Sequence, residues 1–83
     1  MNELAARDVA QDADMIVRGY AFTAERGDDG RRVVRVLNLE PPYSASLLTL
    51  DGTVLESTMD DIELRLVDGL LAKNAAFLEP AYA

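Results

Sequence analysis

At 83 residues the chain is at most one domain, residues 1–83, and it buries only about 60–65% of its unfolded surface. It has no cysteine and no histidine, which excludes disulfides, thiolate zinc sites, Ser-His or Cys-His catalysis and imidazole metal ligands. Fifteen acids against eight bases give a net charge of −7, a balance that repels nucleic-acid phosphates and steers the chain toward basic surfaces.

The apolar fraction, 49%, is that of a folded protein. Its start, MNELAARDVAQDAD, is polar and acidic, and its longest uncharged stretch, PPYSASLLTL, is far shorter than a membrane span. These features predict a soluble cytoplasmic protein with no membrane partner.

Residues 2–14 are expected to form a short N-terminal helix: Leu4, Ala5, Ala6, Val9, Ala10 and Ala13 recur at helical spacing. Its last acids, Asp12 and Asp14, oppose the helix dipole. Met15–Glu25 reads as a first strand, Gly27–Gly30 (GDDG) as a turn, and Arg31–Leu39 (RRVVRVLNL) as the strongest strand. Pro41 and Pro42 break pairing, since proline donates nothing to a ladder. Ala45–Leu50 and Thr53–Glu56 are further strands, and Asp51-Gly52 between them suggests a two-residue type I′ turn.

The chain closes with the main helix, within residues 58–79. Ile62, Leu66, Leu70 and Phe77 form one apolar row on it, Leu64, Val67, Leu71, Ala75 and Leu78 the next, and Pro80 stops it. The fold class expected is α+β: a small antiparallel β-meander of three to four strands over residues 15–57, with the short N-terminal and the longer C-terminal helix packed on one face. The apolar arc of the main helix is wider than one sheet face covers. The surplus predicts a contact with the N-terminal helix or a homodimer seam.

Charge is unevenly placed. Arg26, Arg31, Arg32 and Arg35 fall within ten residues, whereas residues 36–64 hold six acids and no base. The densest acid lies in STMDDIEL, residues 57–64. With Asp60 at N-cap, Glu63 falls at N3 of a capping box, and Met59 and Leu64 form a hydrophobic-staple pair. Thr58 as N-cap with Asp61 at N3 is the competing frame. No calcium-loop spacing, phosphate-binding glycine loop or catalytic pairing accompanies these acids, so no catalytic residue, metal or cofactor is expected.

The carboxylates beyond the cap, with Asp51 and Glu56, suggest an acidic rim for a basic partner: Asp51, Glu56, Asp60, Asp61 and Glu63. A solvated, solubilising surface is the plainer reading. Arg31, Arg32 and Arg35 suggest an anion or self-association contact, or edge-strand protection with acidic cross-strand neighbours. In size and charge the chain resembles small acidic phage-borne inhibitors, among them some anti-CRISPR proteins; the resemblance is of class, carried by no motif. The function expected is a non-enzymatic, dimeric protein-interaction protein, and in one form an inhibitor occupying a nucleic-acid-binding surface by charge mimicry. A small carboxylate- or arginine-based enzyme or ligand-binding subunit is the alternative. Nucleic-acid contact through the arginine hairpin is a third.

Overall fold

The structure, a computed structural model, describes residues 12–83. Five strands form one antiparallel sheet in sequence order: β1 (Met15–Val17), β2 (Tyr20–Arg26), β3 (Arg32–Asn38), β4 (Ala45–Thr49) and β5 (Val54–Ser57). One α-helix follows, α1 (Asp61–Leu78), and runs into a 3₁₀ turn, Glu79–Tyr82.

The expected architecture of three to four strands between two helices is corrected in both respects. The segment read as one strand, Met15–Glu25, folds back at Arg18-Gly19. Both residues have positive φ, 52° and 80°, and this is a two-residue type I′ turn. The signal was missed because arginine is uncommon at such a position.

Among the described residues no N-terminal helix stands as an element, Asp12 alone of residues 12–14 being helical. Residues 2–11 of the helix expected over 2–14 lie outside the described residues, and at its end Ala13 and Asp14 are not helical. Asp14 joins the sheet instead: its N–H donates to the Phe22 carbonyl (3.0 Å), and its carboxylate accepts from the Ala24 N–H (2.7 Å). A short acidic side chain that bonds backbone in this way competes with helix.

The β4–β5 connection also differs from expectation. Between the hydrogen-bonded Thr49 and Thr53 it has three residues, not two: Leu50 and Asp51 form a turn closed by Gly52 N–H to Thr49 C=O (3.0 Å), and Gly52 takes φ 91°. Gly27–Gly30 has the same form, with Gly30 at φ 81° and a closing bond from Gly30 N–H to Gly27 C=O (2.9 Å). Only the glycine at the third loop position is left-handed, which makes this the bulged hairpin rather than type I′.

The helix covers one face of the sheet. Tyr20 and Phe22 of β2, Val34 and Val36 of β3 and Leu48 of β4 pack with Met59, Val67, Leu70, Leu71, Leu78 and Tyr82. β3 is central, and Val33 and Leu37 on its opposite face are buried as well. That accounts for its nearly continuous apolar run. Of the two apolar rows on α1, the Leu64–Leu78 row and Leu70 face the core. Ile62, Leu66 and Phe77 stay 82%, 43% and 75% exposed. No described helix is long and apolar enough to cross a membrane.

Candidate functional site

The start of α1 follows the Asp60 frame. Asp60 is extended, and its carboxylate accepts from the Glu63 N–H at 2.8 Å. Met59 is buried and Leu64 packs on the same core, as a staple requires. Thr58 is occupied elsewhere: its hydroxyl oxygen accepts from the Ala45 N–H at 2.9 Å.

The second half of the capping box does not form. The Glu63 side chain turns across the sheet instead. It accepts from the Tyr20 hydroxyl (2.7 Å) and the Asn38 amide (2.9 Å) on one oxygen, and from the Ser44 hydroxyl (2.7 Å) on the other. Burial acts to raise the Glu63 pKa, but the hydrogen bonds from Ser44, Tyr20 and Asn38 outweigh it and hold the carboxyl below its ordinary value. Burial, then the bond to Glu63, pushes the Tyr20 phenol up to about 12. Three neutral donors around one carboxylate form a satisfied structural anchor. It joins the helix to β2, β3 and the loop after β3.

The other acids of the expected rim are exposed but spread over several elements. Asp51, at the β4–β5 tip, accepts from the Thr49 hydroxyl and from the N–H (3.1 Å) and hydroxyl (2.9 Å) of Thr53. Those bonds, the Thr49 hydroxyl first, lower its pKa. Glu56 lies on edge strand β5, opposite Leu47. Asp60 and Asp61 begin the helix. Asp68, two turns on, is an acid that the sequence reading left out. Asp61 and Asp68 line one concavity with Gly52 and Val54 of the β4–β5 hairpin. The spacing of seven between Asp61 and Asp68 was the available signal for a shared helix flank. Among the described residues, Asp51, Glu56, Asp60, Asp61 and Asp68 form no ion pair.

The arginines have local partners. Arg31 pairs with Asp29 (3.2 Å) and Arg35 with Glu25 (2.5 Å). The Arg32 guanidinium lies 5.4 Å from the Tyr82 ring centroid, a cation–π contact. Arg26 donates to the Gly30 carbonyl (3.0 Å) and the Tyr82 carbonyl (2.8 Å). The bond from the Arg31 N–H, first, and the Arg31 charge lower the Asp29 pKa. No cluster of three or more acidic metal ligands occurs among the described residues. Chemically, the exposed acids of this flank suit electrostatic docking.

Residues 3–78 match a family of unknown function (DUF7723), and the chain belongs to that family. No curated protein and no solved structure matches it.

Proposed function

We propose that this member of the DUF7723 family is a non-enzymatic interaction protein that docks on a basic protein surface, in a cytoplasmic setting. The supporting observation is the flank of α1. Asp61 and Asp68 form no ion pair among the described residues and line, with Arg65 between them, a concavity against the β4–β5 hairpin. Asp51, Asp60 and Glu56 extend the negative field around it. Glu63 is assigned to holding the fold rather than to the partner. A target that normally grips nucleic acid presents the matching basic surface, which keeps charge-mimic inhibition as the specific form of the proposal.

The test leaves the N-cap intact. Asp61→Lys with Asp68→Lys is compared with the unmodified chain by affinity capture from native lysate at near-physiological salt. Loss of the captured protein, with an unchanged circular dichroism spectrum, is the expected outcome. Capture that persists at equal yield rejects the acidic flank as the docking surface. Direct nucleic-acid binding has less support, because Arg31 and Arg35 already have carboxylate partners. DNA or RNA retention that Arg31→Glu with Arg35→Glu abolishes would favour it instead.

A further inference from the structure

We propose that the cleft between the β1–β2 turn and the middle of α1 binds an amphiphilic anion, a carboxylate or phosphate carried on a short apolar stem. This cleft gathers Arg18, Arg65 and Lys73, three of the eight bases of an acidic chain. Among the described residues no carboxylate lines it, and none of the three forms an ion pair. Arg65 also borders the concavity that holds Asp61 and Asp68, but Arg18 and Lys73 do not, and the three cations together make a local field opposite in sign to that of the whole molecule.

The walls are not uniformly polar. Val17, Leu66 and Leu70 supply apolar surface between the cations, and Gly69 opens the helix side. A Cβ placed on Gly69 would meet nothing within 4 Å, so that position gives up helix propensity without relieving a clash. The volume is about 380 Å³, and small-molecule sites run from about 300 to 1,000 Å³.

Arg18 adds a separate observation. It occupies the first position of a type I′ turn at φ 52°, where Asn, Asp or Gly is the low-strain choice. A cation therefore stands at the cleft edge where turn chemistry favours another residue. Cations with interleaved apolar surface select a ligand having both parts. Inorganic phosphate leaves the apolar wall in water, and a neutral alcohol leaves the charges without a partner. The long-range repulsion from the net charge of −7 is smaller for a small monoanion than for a polyanionic nucleic acid.

The proposal shares only Arg65 with the acidic docking flank. It is tested on the isotope-labelled full chain by titrating octanoate, octyl phosphate, octanol and inorganic phosphate, each below its aggregation limit, while amide shifts are followed. Saturating shifts at Gly19, Gly69 and Asn74 are expected with octanoate or octyl phosphate, and binding at least about tenfold weaker with octanol and with inorganic phosphate. Arg18→Asn preserves the turn, Lys73→Gln preserves the stem, and each should weaken binding about three- to tenfold. Gly69→Leu favours helix and fills the cleft, so it should abolish binding while the thermal midpoint is kept or raised. The proposal is overturned if neither amphiphile saturates, if octanol binds as well as octanoate, or if folded Gly69→Leu keeps its affinity.

Discussion

Glu63 lies in the first turn of α1, and its three donors come from β2, β3 and the segment after β3. Removing the carboxylate leaves the part-buried Tyr20 hydroxyl and Asn38 amide without this acceptor, so Glu63→Ala should cost about 2 kcal/mol in chemical denaturation. Its pKa is below the ordinary 4.5, so the folded state favours the ionised form. The stability this supplies is fully present above 4.5 and is lost as pH falls through the lower folded value. Asp51 and Asp29, also lowered, act with the same sign. Thermal midpoints measured from neutral to acid pH should therefore fall, and Glu63→Gln should flatten that fall. An identical profile in the variant would remove Glu63 as a source.

Two glycines make a sharper residue-scale comparison. Gly30 and Gly52 both have left-handed φ, and a Cβ at Gly30 meets open space whereas one at Gly52 runs into the Asp68 carboxylate. Gly30→Ala should cost about 1 kcal/mol from backbone strain alone, and Gly52→Ala about 2 or more. Equal losses in urea unfolding would show that the hairpin tip yields easily from the helix.

Among the elements, the 3₁₀ turn after α1 is what fastens the helix end. α1 has no base in its last turn to meet the dipole. Tyr82 instead inserts its ring into the core and donates its hydroxyl to the Val33 carbonyl at 2.5 Å, while Arg26 holds its carbonyl and Arg32 lies over its ring. Tyr82→Ala should cost about 3 kcal/mol, the scale of a buried aromatic truncation, with Tyr82→Phe losing about 1 kcal/mol of that through the hydroxyl. Equilibrium unfolding of the two variants separates packing from hydrogen bonding. The two bulged hairpins are a second shared device. In each, an Asp just before the left-handed glycine accepts the N–H two residues on: Asp29 from Arg31 at 2.9 Å and Asp51 from Thr53 at 3.1 Å. Both aspartates therefore contribute to turn geometry as well as to net charge.

For the whole molecule, the open quantity is the apolar ridge. Ile62, Leu66 and Phe77 are exposed on one side of α1, and contiguous exposed apolar surface marks interaction sites. We propose that a second copy covers Ile62 and Phe77, leaving Leu66 to the cleft. Light scattering at high concentration should give about twice the 9.1 kDa chain mass, and Ile62→Ser with Phe77→Ser should return it to the monomer. A monomer in the unmodified chain would sink the dimer. The sheet core does not use these side chains, so the double variant should keep its fold.

How much of this was legible in the sequence depended on the range of the forces involved. The main helix, its Asp60 cap, its Met59 staple and its core row could be read directly, because capping, periodicity and proline act within a few residues. The central strand was equally plain, since burial on both faces leaves a run such as VVRVL. The strand break at Arg18-Gly19 was not, because an arginine in a left-handed turn contradicts local preference and is held by its pairing on either side. Glu63 is the clearest case. Sequence alone placed it correctly at N3 and then, by local logic, expected it in the cap and the acidic rim. Its partners Tyr20, Asn38 and Ser44 lie 43, 25 and 19 residues away, and only tertiary packing brings three neutral donors to one carboxylate. The same holds for Arg18, which lies far along the chain from the helical pair Arg65 and Lys73. The folded sheet and helix place them around one cleft, because which charges share a surface is set by packing and not by order along the chain.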